Sequence, residues 1–112
     1  MKKIDAIIRD ERLPMVLADL REKGYPGITI SPVKGHGRQK GAKQVYREVE
    51  YTVEFVPKTR IELIVDDASV EKLVTSISDH ARTGAVGDGK IWVTAVESLM
   101  RVRTGETGDA AV

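Results

Sequence analysis

The sequence predicts an α+β fold, a four-stranded antiparallel sheet carrying two helices on one face. Three observations predict it. Residues 4–9 (Ile-Asp-Ala-Ile-Ile-Arg) and 61–66 (Ile-Glu-Leu-Ile-Val-Asp) match as short, mostly apolar strands. After each comes a charged turn and a segment with apolar residues at i, i+3, i+4 and i+7, one face of a 3.6-residue helix. After each helix a second strand follows, so the chain reads βαβ twice.

In the first half, Leu13, Val16, Leu17 and Leu20 form the helical stripe, and Pro14 sits in the first turn, where a missing N–H costs little. Gly24 marks the helix exit, and residues 28–33 form the next strand. Residues 51–56 alternate as a further strand that runs past Pro57 into 61–66. A bulge or an edge position is expected at Pro57, which has no ladder donor. In the second half, Val70, Leu73, Val74 and Ile77 make the stripe, Gly84 marks the exit, and residues 91–96 form the last strand. The order β-α-β-β-α-β is the ferredoxin-like split arrangement. With both helices on one face, the other face is expected to keep uncovered apolar residues, which favours an oligomer. Residues 35–50 have no sustained period and read as a long functional loop. Residues 104–112 read as a tail that orders only against a neighbour or a ligand.

Composition bounds the function. The 112 residues make one domain, residues 1–112, with no Cys and therefore no disulfide or thiolate zinc site. No apolar run approaches the roughly 18 residues of a membrane span, and the Met-Lys-Lys start does not read as a signal peptide. A cytoplasmic protein is expected. The net charge of +1 conceals an asymmetry: between Lys34 and Arg47 lie five basic residues and no acid. Such a local excess suits a small anion or an acidic partner, not a general nucleic-acid surface.

Two anion-binding candidates emerge. Gly84-Ala-Val-Gly-Asp-Gly-Lys90 has the letters of a phosphate-binding P-loop, but a helix precedes it and a strand follows, the reverse of that motif. Its glycines still let backbone N–H groups converge on an anion beside Lys90. Arg101 and Arg103 alternate with Val102, so an extended backbone points both forks to one side, suited to a polyphosphate near Lys90. The second candidate is Gly35-His-Gly-Arg-Gln-Lys-Gly41, with Lys58 at its base if the strands pair. It suits a dicarboxylate and a metal held partly by Gln39. His36 and His80 read as ordinary side chains, and no Ser-His-Asp pattern exists. The acidic pairs Asp10-Glu11 and Asp66-Asp67 sit at helix starts, where carboxylates favour the dipole.

Those blocks, together with Thr83–Val93 and Arg101-Val-Arg-Thr-Gly-Glu106, resemble the PII nitrogen-regulatory proteins over all 112 residues. The resemblance implies a homotrimer of ferredoxin-like subunits, with a T-loop at about 36–52, a B-loop at 82–90 and a C-terminal loop at 101–112. It implies a cleft between subunits for ATP or ADP, lined by Thr29, Gly35, Gly37, Arg38, Glu62, Ile64, Thr83, Gly87, Asp88, Gly89, Lys90, Arg101, Val102 and Arg103. With Mg-ATP, 2-oxoglutarate is implied on Arg9, Gln39, Lys40, Gly41 and Lys58, and Mg²⁺ on Gln39. Tyr51 matches a position that some members uridylylate, although Tyr46-Arg-Glu-Val-Glu-Tyr51 departs from the Tyr-Arg-Gly-Ala-Glu-Tyr of those members. His36 stands where bacterial members commonly carry an aromatic, and Asp10 where many carry Pro.

The implied function is non-catalytic: a regulator binding an ammonium transporter or a nitrogen-assimilation enzyme or regulator, with membrane contact only through a transporter and no nucleic acid. Two other readings compete on the same fold. An acylphosphatase-like hydrolase uses Arg with Asn, and the chain has no Asn; a slow ATPase is what remains of that class. An RNA-binding module needs an aromatic-rich strand, and five aromatics without one fit poorly.

Overall fold

The computed structural model describes residues 1–25, 27–36, 43–46, 49–52 and 55–112, with 43–46 and 49–52 as backbone only. The elements are β1 (Lys2–Ile8), α1 (Leu13–Glu22), β2 (Thr29–His36), β3 (Lys43–Tyr46), β4 (Val49–Thr52), β5 (Phe55–Val65), α2 (Val70–Ala81) and β6 (Lys90–Ala95). Short 3-10 turns at Asp10–Arg12 and Asp67–Ser69 lead into the helices. The main sheet has the order β2-β5-β1-β6, and every neighbouring pair is antiparallel. This is the ferredoxin-like arrangement.

Period-2 alternation builds the core. Ile4, Ala6 and Ile8 of β1 and Ile61, Leu63 and Val65 of β5 are buried against Val16, Leu20, Leu73, Ile77 and Ala81 of the helices. Leu13, Val70 and Val74 pack at the margin. The α1 exit is a Schellman turn: Gly24 at φ +83° donates to the Arg21 carbonyl and Tyr25 to that of Leu20, each at 3.0 Å. At the end of α2 the chain instead leaves through an extended Arg82, and Gly84 belongs to the loop beyond.

The second sheet face keeps exposed apolar surface at Trp92, 38% exposed, and adds an ion-pair ladder that was not expected. Asp5, 2% exposed, accepts from Arg60 Nη2 at 2.8 Å and lies 3.5 Å from Lys3 Nζ. Glu62 pairs with Arg60 at 2.8 Å and Lys3 at 3.5 Å, and the Arg60 guanidinium lies 5.6 Å from the centre of the Trp92 ring. Burial of one carboxylate selected for partners, which period alone does not reveal.

At Pro57 β5 meets one of the two alternatives expected, and two further differences concern the long loop and the tail. β5 runs unbroken through Pro57 in constant register with β2, with no bulge. Its residues 59–65 pair with β1, whereas among the described residues 55–58 pair with β2 alone, so Pro57 takes the edge position expected of it. Within the segment read as loop, β3 and β4 form an antiparallel hairpin, Lys43↔Thr52 to Tyr46↔Val49; four-residue strands leave too short a pattern to register. The tail folds on its own chain: Met100 bridges Thr107, and Gly108–Ala111 make a 3-10 turn.

Polar contacts lock the helices together. The Asp19 carboxylate accepts from Lys23 Nζ at 2.6 Å and from the Ser76 hydroxyl, and Arg12 Nε donates to the His80 carbonyl at 2.8 Å. Replacing the buried Leu20 by Ala should cost about 2–5 kcal/mol in urea unfolding. The Lys23 and Ser76 hydrogen bonds hold the Asp19 carboxyl below the usual carboxylate range. The unfolded chain therefore protonates first. The contribution is present above the unfolded value of about 3.9 and is lost as pH falls through the lower folded value. Urea midpoints at pH 7 and pH 3 should accordingly differ less for Asp19→Asn than for the parent.

Candidate functional site

The loop of residues 82–89 joins α2 to β6 and is organised around one carboxylate. Asp88 Oδ2 accepts from the backbone N–H of Thr83 at 2.8 Å and of Gly84 at 2.9 Å. Its Oδ1 accepts from the Thr83 hydroxyl and from Arg9 Nε, the latter at 2.9 Å. These donors, the Thr83 hydroxyl first and Arg9 next, hold the Asp88 carboxyl far below the usual carboxylate range. Arg9, just past β1, also donates through Nη2 to the Val86 carbonyl at 2.8 Å.

The loop then turns through two glycines in the left-handed region, Gly87 at φ +102° and Gly89 at φ +101°. At 89 a side chain is excluded by space as well, because a Cβ there would overlap the Ile7 carbonyl oxygen. The close approach sets the loop against the end of β1, with Lys90 opposite Ile7 as the first residue of β6. The B-loop expected at 82–90 is thus a loop of 82–89 whose last cation belongs to a strand. Beside it opens a cleft of about 290 Å³ with Asp88, Gly89 and Lys90 on its wall.

Lys58 reaches the same loop from β5. It is 7% exposed and donates to the Gly87 carbonyl. Burial pushes its ammonium pKa down, and the Arg9 charge adds to the effect. Gly35 stands beside it in β2, where a Cβ would sit 3.4 Å from Lys58 Cγ. The pairing of β2 with β5 that Lys58's candidacy required is present, with Val33 opposite Lys58.

One chain therefore gathers Arg9, Gly35, Lys58, Thr83, Gly87, Asp88, Gly89 and Lys90 at one end of the sheet. It does not bring the remaining candidates there. Thr29 lies opposite Glu62 on the edge strand β2, and β5 and β1 separate β2 from β6; at about 4.8 Å per strand that is roughly 14 Å. Glu62 and Ile64 share the face of Thr29, with the Glu62 carboxylate committed to Arg60 and Lys3. Arg101, Val102 and Arg103 follow the far end of β6, and that six-residue strand spans about 17 Å. Residues 102–104 form a turn, not the extended backbone expected, and Val102 is 95% exposed. Arg101 Nη2 donates to the carbonyls of Val112 and Ala111 at 3.3 and 3.5 Å. Gly37, Arg38, Gln39, Lys40 and Gly41 lie outside the described residues, as does the Tyr51 side chain.

Sequence reasoning placed Arg9 on a dicarboxylate and Asp88 on phosphates, and missed the bond between them. The available signal was Thr83, five residues before an Asp flanked by glycines, a spacing that closes a loop on its own side chain. Gly84→Ala, with nothing within 4 Å but a φ of +90°, should cost about 1–2 kcal/mol in thermal unfolding. Gly89→Ala should cost more, because its Cβ must displace backbone.

The pattern of the family described as Nitrogen regulatory protein P-II matches residues 1–106. The Nitrogen regulatory protein P-II of Rhodospirillum rubrum is 50% identical over 112 residues, 100% of both chains. That of Azospirillum brasilense is 49% identical over the same full lengths. Nitrogen regulatory protein P-II 1 of Escherichia coli is 50% identical, again over 100% of each chain. A ferredoxin-like chain with this glycine-rich loop, matched along its whole length by such relatives, belongs to the P-II family of nitrogen regulatory proteins.

Proposed function

We propose that the protein is a signal transducer that senses ATP, ADP and 2-oxoglutarate and reports them to targets in nitrogen assimilation through its 36–52 loop. The observation that carries this reading is the loop of residues 83–89, preset around Asp88, with Lys90 at its end and Lys58 and Arg9 against it. Its own carboxylate saturates the N–H groups of Thr83 and Gly84. The N–H groups of Gly87, Asp88 and Gly89 and the Lys90 ammonium are then the donors for nucleotide phosphates.

Thr29, Glu62, Ile64, Arg101 and Arg103 belong to the same site only if they come from a second subunit, since one chain holds them away from the loop. A homotrimer with clefts between subunits meets that requirement, the arginines adding planar forks for the phosphates. Gly37 and Arg38 close the site. Mg²⁺ would take oxygens from Gln39, the nucleotide and 2-oxoglutarate; among the described residues no three His, Asp or Glu side chains converge to hold a metal. Lys58, Arg9, Lys40 and Gly41 would hold the dicarboxylate.

Each ligand set selects a population of the 36–52 loop, and the loop's shape selects the partner: an ammonium transporter, or an enzyme or regulator of nitrogen assimilation. Tyr51 on that loop is the candidate modification site. The relatives carry regulatory names, and the reading is of a cytoplasmic regulator, not an enzyme. No helix of the described residues is long and apolar enough to cross a membrane, and membrane contact in this reading runs through a transporter. Any effect of ATP on 2-oxoglutarate affinity must be matched in reverse.

Calorimetry tests the proposal. 2-Oxoglutarate should bind measurably with Mg-ATP and far more weakly without it; normal ATP binding with no 2-oxoglutarate binding would sink the reading. Arg103→Ala should weaken ATP about tenfold or more, the loss of charge-assisted hydrogen bonds to phosphate.

A further inference from the structure

Two cations, Arg9 just past β1 and Lys58 in β5, grip consecutive carbonyls of the phosphate loop. Arg9 Nη2 donates to Val86 O at 2.8 Å, and Lys58 Nζ donates to Gly87 O. Arg9 adds a second hold through Asp88, its Nε 2.9 Å from Oδ1. The grip falls where the loop most needs it. Val86 is 62% exposed, and Gly87 carries the positive φ that turns the next two N–H groups. A glycine with that freedom loses more conformational entropy on ordering than any other residue. Fixing both carbonyls fixes the peptide planes that direct the following amides, because each carbonyl is coplanar with the next residue's N–H. The C=O of Val86 thereby orients the N–H of Gly87, and the C=O of Gly87 that of Asp88.

We infer that Arg9 and Lys58 are positioning residues of the nucleotide site, holding the 86–89 segment in its phosphate-receiving shape through the Val86 and Gly87 carbonyls before any ligand arrives. The inference rests on the nucleotide-binding reading and adds to it. Two residues otherwise assigned to the dicarboxylate organise the neighbouring site. Their effect is exerted through backbone, with no contact to phosphate required.

The experiment uses the full-length protein in EDTA with ADP as the probe, so that no metal couples the two ligands. Lys58→Met and Arg9→Met keep an apolar stem and remove the donor; Lys58→Arg restores a donor. Backbone order parameters at 86–89 are read by NMR on ligand-free protein, and ADP affinity by calorimetry. Loss of one net hydrogen bond should raise the ADP Kd about fivefold. Order parameters at 86–89 should fall, while those of Leu73 and Ile77 stay unchanged. Lys58→Arg should recover most of both effects. Should Arg9→Met not fold, Lys58→Met carries the test alone. Unchanged order parameters in ligand-free Lys58→Met overturn the inference, even if ADP binds more weakly, since that pattern means direct contact with phosphate. If the parent protein does not bind ADP, the nucleotide reading itself fails, and the inference falls with it whatever the order parameters.

Discussion

The carboxylate of Asp88 is the contact on which the loop of residues 82–89 depends. Its two oxygens collect the N–H groups of Thr83 and Gly84, the Thr83 hydroxyl and the Arg9 guanidinium. Those bonds turn a glycine-rich connection, entropically costly to order, into a closed ring tied to β1. They also satisfy the carboxylate so fully that it stays ionised under any physiological condition. An anion built into the loop thus does the ordering that a bound ligand would otherwise have to supply.

The sheet supplies the geometry around this ring. Because β1 and β5 are central, Arg9 at the end of one and Lys58 in the other reach the same loop from two directions. The same topology keeps Thr29 at the opposite edge and sends Arg101 and Arg103 past the far end of β6. Cations that sequence order alone groups near Lys90 are separated by the length of a strand. The balanced ladder of Lys3, Asp5, Arg60 and Glu62 on the uncovered face makes a related point. That face is self-neutralised, so what it offers a neighbour is shape and a few apolar side chains, Ile7, Ile64 and Trp92, between paired charges.

Much of this was legible in the sequence. The two helical stripes and the alternating strands carry the fold because each is a period repeated several times, and Val16, Leu20, Leu73 and Ile77 are buried as their spacing requires. The glycine-rich loop was legible because left-handed turns need Gly, and Gly87 and Gly89 both occupy that region. What could not be read depends on contacts between distant residues. Arg9 and Asp88 are 79 positions apart, and Asp5 and Arg60 are 55 apart. Neither pair leaves a local pattern. The β3–β4 hairpin was missed for the opposite reason, its strands being too short to show a period.

β5 changes its support along its length. Residues 59–62 are held on both sides, by β1 and β2, whereas among the described residues 55–58 continue as a ribbon with β2 alone. A two-stranded ribbon twists and bends far more readily than a strand clamped within a sheet. The change in stiffness falls between Lys58 and Thr59. Lys58, which donates to the Gly87 carbonyl, therefore sits where a strand clamped on two sides becomes a ribbon with one partner, and joins the loop of residues 82–89 to the more pliable part of β5.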